Sequence, residues 1–131
     1  MEIKLTKEES ELYFYNALCN GLSYVESGYG LELTWDKGEQ LGARKSLKEK
    51  MKDSEICHED VLMEILRIGG KLKLVDHESG EPARVIALAD VHERVAKTPI
   101  DHLNDMINEE DDATTADVII QTVFYEDVIF G

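Results

Sequence analysis

The side chains that most often hold metals or carry catalysis are spread thinly along this chain. The four histidines are His58, His77, His92 and His102, and the two cysteines are Cys19 and Cys57. Cys57 and His58 are adjacent, and adjacent side chains diverge in a helix, so the pair does not predict a metal site. The cysteines lack the spacing of a disulfide framework, which favours two buried, reduced thiols.

The sequence also gives little support for a nucleophilic catalytic site or for a glycine-rich loop that binds phosphate. Ser23 or Ser79 could be combined with His77 and Asp76, but nothing marks either serine as lying on the strained turn that exposes a nucleophile. The Gly69-Gly70 pair stands alone, so no glycine-rich phosphate loop is present. We therefore expect a protein that is not an enzyme and that has no catalytic residues, metal or cofactor.

Aromatic and basic side chains offer a different chemistry, the binding of an anionic, nucleotide-like ligand. Aromatic rings can stack on a base, and arginine or lysine can pair with phosphate oxygens. We predict ligand contacts from Tyr24, Tyr29, Trp35, Arg44, Lys45, Arg67 and Arg84. Two other interpretations remain open, because the aromatic residues are also typical of core packing and the basic ones of a solvated helix face.

The charge of the chain is strongly negative and unevenly distributed. The net charge is −14, and the residues after Pro99 contain nine acids and no lysine or arginine, against 19 acids and all 14 bases before them. Such a balance opposes direct binding to nucleic acid, which needs clustered bases. The run Glu109, Glu110, Asp111 and Asp112 could bind a basic partner, or it could stabilise the start of the helix that follows it.

The pattern of apolar residues predicts the elements that position these side chains. Helices are expected at residues 7–20, 39–52, 56–68, 90–97, 98–108 and 113–124, the first of them opened by a capping box at Thr6 and Glu9. Strands are expected at residues 31–35, 71–76, 84–88 and 126–130, with residues 77–82 as a hairpin loop between the second and third. The first helix is expected to end at Gly21 and to have an apolar stripe of Leu12, Tyr15, Ala17, Leu18 and Leu22, and Gly69-Gly70 is expected to give the third helix a left-handed stop. Gln121 is expected to be a buried amide that is hydrogen-bonded to a neighbouring element or to another subunit. These elements predict a single compact α+β domain, residues 1–131, in which helices pack on one face of a small, mainly antiparallel sheet.

The last apolar stretch, residues 118–130, predicts self-association. Its eight large apolar side chains exceed what one helix stripe and an edge strand can hide, so we expect a homo-oligomer, most simply a dimer. No segment is long and apolar enough for a membrane span, and residues 1–10 lack the apolar middle of a signal peptide. We expect a soluble, cytoplasmic protein without membrane contact.

The end of the chain also resembles a known group of sequences. The residues Asp112, Ala113, Ala116, Asp117, Gln121, Ile129, Phe130 and Gly131 follow the pattern D-A-x-x-A-D-x-x-x-Q-x-x-x-x-x-x-[IV]-[FY]-G, except that seven residues instead of six separate Gln121 from Ile129. That ending is similar to those of small proteins encoded by bacteriophages and prophages. Members of this group often have Gly-Gly-x-x-Tyr-Trp after the first helix, whereas this chain has Asn20 to Val25 there and lacks the tryptophan.

The resemblance implies a phage or mobile-element origin, and three functions are compatible with it. The first, which is the function we predict, is a non-catalytic binding protein that antagonises host defence by sequestering a nucleotide-derived signal, such as a cyclic nucleotide or a cyclic ADP-ribose-like molecule; the other two are alternatives. The second is an acidic mimic of nucleic acid that blocks a basic surface of a host protein. The third is a structural or accessory protein of the phage. The first two act by binding alone, in the cytoplasm of the infected host.

Overall fold

The computed structural model describes residues 3–131 and shows an α+β fold; Met1 and Glu2, which belong to the predicted domain, lie outside the described residues. Within that range the helices are α1 (Lys7–Tyr29), α2 (Lys37–Lys48), α3 (His58–Arg67), α4 (Leu88–Arg94), α5 (Ile100–Ile107) and α6 (Ala113–Tyr125). The strands are β1 (Leu31–Trp35), β2 (Leu72–Asp76) and β3 (Arg84–Ile86). Short 3-10 turns occur at Asp53–Glu55 and Val95–Lys97.

The first helix begins where the sequence predicts and ends later. The amide of Glu9 donates to Thr6 Oγ1 at 3.1 Å and the amide of Thr6 donates to Glu9 Oε1 at 2.9 Å, which confirms the capping box. The predicted end at Asn20 is wrong, because α1 continues to Tyr29. The helix ends at Gly30, whose φ of 69° is the left-handed conformation that glycine adopts at little cost.

Gly21 has a packing role rather than the predicted role of helix stop. It is buried where α1 crosses α6, and a β-carbon at this position would collide with Ala116. The expected apolar stripe was also partly wrong, because Leu12 is 53% exposed. The buried face of α1 is instead formed by Phe14, Ala17, Leu18, Gly21, Leu22 and Val25.

Within residues 3–131 the sheet has three antiparallel strands with β2 in the centre, which confirms the predicted small, mainly antiparallel sheet. Leu33 of β1 lies opposite Leu74 of β2, and Leu72 of β2 lies opposite Ile86 of β3. The buried side chains of the sheet are Leu31, Leu33, Leu72, Leu74 and Ile86. Alternation places them on one face, and α1, α3, α4 and α6 contact the strands. The core therefore lies between the sheet and the helices.

Helix α6 lies in the centre of this core. It packs against α1, α4, α5 and β3, and every residue from Thr115 to Phe124 is buried. The premise that a single chain could not hide this apolar stretch is therefore wrong for α6, because neighbours cover the helix on all sides. The large apolar side chains left exposed in the stretch are Val128 and Ile129, at 38% and 53%.

The residues after α6 do not form the closing strand that the sequence predicts. The side chain of Gln121 takes the place of a neighbouring strand, because its Oε1 accepts the amides of Ile129 and Phe130, both at 2.8 Å. Its Nε2 donates to Asp117 Oδ1 at 2.8 Å and to the carbonyl of Phe130 at 3.3 Å. The prediction that Gln121 is a buried amide bonded to a neighbouring element is confirmed.

Candidate binding site

A cavity of about 390 Å³ lies between α1 and α3. Helix α1 contributes Glu8, Glu11, Leu12 and Tyr15, which recur every three or four residues and so share one face. Helix α3 contributes Asp60, Met63 and Arg67. A volume of this size is in the range of small-ligand sites in proteins. We call it the α1–α3 cavity.

One wall of the cavity is held by Glu11, which joins three helices. Its Oε1 accepts from Nε of Arg67 on α3 at 2.8 Å, and its Oε2 lies 2.9 Å from Nε2 of His92 on α4. Burial tends to raise the pKa of Glu11, but the hydrogen bonds from His92 and Arg67 outweigh it and hold that pKa below its usual range. Glu11 is therefore a carboxylate at neutral pH.

The opposite wall is held by Asp60. Its Oδ2 accepts the amide of Cys57 at 3.0 Å and the thiol of Cys57 at 3.2 Å, at the start of α3. Burial acts to raise the pKa of Asp60, yet these bonds to Cys57 keep it below the usual value. Tyr15 Oη lies 3.5 Å from Cys57 Sγ, and this contact, together with burial, raises the pKa of Tyr15.

The cavity suits a cation with an apolar stem. Three carboxylates, from Glu8, Glu11 and Asp60, face one guanidinium, that of Arg67, which Glu11 already occupies. The remaining lining is the apolar or aromatic surface of Leu12, Tyr15 and Met63. An anionic ligand would meet two carboxylates, Glu8 and Asp60, that form no ion pair within residues 3–131, so this cavity does not fit the phosphate site that the sequence predicts.

The seven predicted ligand residues do not come together in one site. Arg67 lines the α1–α3 cavity and pairs with Glu11. Trp35 lies at the end of β1, with its ring 5.1 Å from that of His58. Arg44 and Lys45 lie on α2, half-buried and exposed respectively.

Three other predicted residues belong to a continuous row of side chains at the C-terminal segment. Tyr24 contacts Tyr29 edge to face at 5.9 Å, and Tyr29 stacks on Phe130 at 5.0 Å. Phe130 contacts Tyr125 at 5.6 Å, and the guanidinium of Arg84 lies 5.1 Å from the ring centre of Tyr125. We call these five residues the aromatic row.

Much of the aromatic row has a structural role. Tyr29 Oη donates to Asp117 Oδ2 at 2.6 Å, and burial together with this bond raises the pKa of Tyr29. The ring of Tyr29 then holds Phe130 against the protein. Tyr24, 49% exposed, and the exposed Arg84 are the members of the row that remain open to solvent.

The predicted partner-binding run is partly used in folding. Asp112 Oδ1 accepts the amide of Thr115 at 2.9 Å and so caps α6, which confirms the helix-start interpretation for this residue. Asp111 Oδ2 accepts from Asn20 of α1 at 2.8 Å. Glu109 has a left-handed backbone, with φ of 59°, in the turn after α5.

The run continues an acidic surface that starts on α5. We call Asp101, Asp105, Glu109, Glu110, Asp111 and Asp112 the acidic segment. Within the part of the chain that the structure describes, none of these carboxylates pairs with a lysine, arginine or histidine. Six negative charges are thus displayed on one helix and the loop that follows it.

The structure also bears on metal binding, on the cysteines and on membrane insertion. Among residues 3–131, no three His, Cys, Asp or Glu side chains are grouped so that they could hold a metal ion. Cys19 is exposed and Cys57 half-buried, and both are free, so the prediction that both thiols are buried is wrong. No helix in the same range combines the length and apolarity needed to cross a bilayer.

Sequence reasoning missed most of the cavity. Leu12 and Tyr15 were assigned to the core stripe of α1, and Glu8, Glu11 and Asp60 were not singled out. The available signal was the helical spacing of Glu8, Leu12 and Tyr15, which places one acidic and two apolar side chains on one face. That spacing does not show that α3 lies alongside, because a contact between distant segments is a property of the tertiary fold.

Comparisons of the chain with protein-family models, with curated proteins and with solved structures gave no match.

Proposed function

We propose that this is a non-catalytic binding protein that presents an acidic surface to a basic host protein. The observation that carries this proposal is the acidic segment, whose six carboxylates have no cationic partner among residues 3–131. A surface of one charge sign attracts a partner of the opposite sign and speeds the encounter between them.

The fold supports this proposal by fixing part of the acidic segment in place. Asp111 is bonded to Asn20, Asp112 caps α6, and the amide of Glu110 donates to the carbonyl of Asp105 at 2.8 Å. Carboxylates held by such bonds lose less conformational entropy when a partner binds than those of a mobile tail. The carboxylates of Asp111 and Asp112 are held in this way, and they support the proposal that the acidic segment mimics a phosphate backbone.

The biological setting follows from the resemblance of the tail to phage and prophage proteins. A small phage protein that binds a nucleic-acid-binding surface of the host would antagonise host defence or assist host takeover. Its site of action would be the cytoplasm of the infected cell. The proposal includes no membrane contact and no direct contact with nucleic acid, since the net charge of −14 repels phosphate.

Binding to a fluorescein-labelled nona-arginine peptide, at about 150 mM salt to screen long-range attraction, tests the acidic segment. Replacing Glu109 and Glu110 together by glutamine should weaken binding by about three- to tenfold, as expected for two exposed charge pairs. The matched control replaces the exposed Glu55 and Glu81 by glutamine, which changes net charge equally elsewhere. Equal weakening by the two double variants would contradict a role for the acidic segment.

A second candidate function is capture of a nucleotide-derived signal at the aromatic row. It is supported by the exposed Tyr24, which could stack on a base, and by Arg84, which has no carboxylate partner within residues 3–131. Cyclic nucleotides or cyclic ADP-ribose should then raise the melting temperature. Tyr24→Ala and Arg84→Ala should abolish the rise, whereas Arg44→Ala on α2 should retain it.

The two experiments separate the candidates. Binding of nona-arginine without stabilisation by nucleotides favours the acidic mimic, and the opposite result favours signal capture. Absence of both would leave the third expectation, a structural or accessory phage protein.

A further inference from the structure

We propose that the α1–α3 cavity receives an arginine or lysine side chain of the basic partner. This inference rests on the proposed function and adds a specific anchoring site to it. The acidic segment attracts a basic surface by charge alone, whereas a cavity can bind one side chain of that surface in a defined position. Buried anchor residues of this kind often supply much of the binding energy of an interface.

The lining of the cavity matches the two parts of such a side chain. Leu12, which is 53% exposed, offers apolar surface to the methylene stem, and Tyr15 lines the same cavity. The volume of about 390 Å³ exceeds that of one long side chain.

The charges of the cavity select a cation. Glu8 and Asp60 form no ion pair with the lysines and arginines of residues 3–131, and the two hydrogen bonds from Cys57 both reach Oδ2 of Asp60. Arg67 already shows how a guanidinium is bound here, since it pairs with Glu11 at 2.8 Å. A second cation would balance the carboxylates that Arg67 leaves uncompensated.

The cavity and the acidic segment lie on either side of α1, so one partner could cover both. On one side Leu12 and Tyr15 face α3. On the other side Asn20 bonds to Asp111 at 2.8 Å, and Asn16 Nδ2 lies 3.9 Å from Met106 Sδ of α5. Leu12 and Asn20 are eight residues apart in α1, which is about 12 Å along the helix axis. A basic partner seated on α1 would therefore contact the acidic segment and place a side chain in the cavity.

The sharpest test compares two variants of equal charge. Leu12→Arg places a guanidinium at the mouth of the cavity, beside Glu8 and Glu11, where it should occupy the site. Leu41→Arg makes the same change at a leucine of α2 that is 70% exposed and does not line the cavity. Both variants have a net charge one unit less negative than wild type, so any general electrostatic effect is matched.

We expect the dissociation constant for nona-arginine to rise at least about fivefold more in Leu12→Arg than in Leu41→Arg. That difference corresponds to about 1 kcal/mol of binding free energy. Equal affinities of the two variants would overturn the cavity proposal. Because Leu12 is 53% exposed, both variants should fold, and equal melting temperatures would establish this. If Leu12→Arg has a lower melting temperature than Leu41→Arg, a second pair of variants is compared instead. In that pair Glu8→Gln removes a charge from the cavity lining and Glu55→Gln is the control, and we expect the same difference in affinity for nona-arginine.

A second readout locates the bound peptide directly. Met63 is buried on the cavity wall, whereas Met51 lies outside it, so methyl resonances of labelled methionine report on the site. Nona-arginine should shift the Met63 resonance and leave that of Met51 in place; an unchanged Met63 resonance at saturation would overturn the proposal.

The outcomes distinguish this inference from the proposed function. Loss of binding in Glu109→Gln/Glu110→Gln, with none in Leu12→Arg, would overturn the cavity and retain the acidic segment. The reverse pattern would overturn the acidic segment and retain the cavity. Absence of wild-type binding to nona-arginine would overturn both.

Discussion

Gly21 of α1 lies so close to Ala116 of α6 that a β-carbon added to Gly21 would be 2.5 Å from the β-carbon of Ala116. The missing side chain lets the two longest helices of the protein approach closely, and α1 and α6 form the most extensive helix pair of the fold. Their close approach brings Tyr29 to Asp117, where its hydroxyl donates to the carboxylate.

The first prediction concerns this helix crossing. Gly21→Ala should lower the free energy of unfolding by about 1–3 kcal/mol, because overpacking at a backbone contact cannot be relieved by a rotamer change. Gly28→Ala in the same helix is the control, since no atom lies within 4 Å of the added carbon there. The free energy of unfolding of that control should rise by about 0.5–1 kcal/mol, because alanine has a better helix propensity than glycine. Urea denaturation measures both, and destabilisation by both changes would contradict the packing explanation.

The second prediction concerns the side chain that holds the C-terminal segment. Gln121→Leu removes the acceptor of the Ile129 and Phe130 amides and the donor to Asp117. We expect the free energy of unfolding to fall by about 1–3 kcal/mol, because buried polar groups are left without their hydrogen-bond partner. Hydrogen exchange at Ile129 and Phe130 should become much faster.

Gln40→Leu on α2 serves as the control for this change, because its side chain makes none of the hydrogen bonds described above. Retained protection of the Ile129 and Phe130 amides in Gln121→Leu would show that the aromatic contacts alone hold the segment.

The third prediction concerns the pH dependence of stability. Glu64 is buried on α3, where its Oε2 accepts from Ser46 at 2.5 Å and from Lys50 at 3.0 Å. Burial raises the pKa of Glu64, but these bonds and nearby Arg67 outweigh it, so the folded pKa is below the usual value. A lowered folded pKa means that this stabilisation is complete above the unfolded pKa and is lost as the pH falls through the folded one.

Glu64→Gln should therefore destabilise the protein by about 1–3 kcal/mol at neutral pH and by less in acid. The measurement is the free energy of unfolding between neutral pH and about pH 3. The difference between wild type and variant should shrink as the pH falls below about 4.5. A difference independent of pH would contradict an ionised Glu64.

The fourth prediction concerns self-association. The expectation of a dimer now depends on Val128 and Ile129, because α6 is covered within one chain. If these side chains form the contact, wild type should sediment as a dimer at micromolar concentration and Ile129→Lys as a monomer. Leu41→Lys, at an exposed leucine of α2, should leave the dimer intact. A monomeric wild type would contradict the homo-oligomer.

Local sequence signals predicted the elements that local physics controls. The capping box at Thr6 and Glu9, the left-handed stop at Gly69, the cap at Asp112 and the antiparallel hairpin of β2 and β3 each depend on residues close together in the chain. For such elements a few neighbouring side chains fix the backbone, so their positions could be predicted.

Where a local sequence signal was compatible with two structures, the tertiary structure decided between them. Glycine at position 21 could end a helix or admit another helix closely, and only the presence of Ala116 selects the second. The segment after α6 could have paired as a strand, but the buried amide of Gln121 satisfies its backbone instead. The α1–α3 cavity likewise depends on which face of α1 meets α3, because a void between two helices exists only once both are packed.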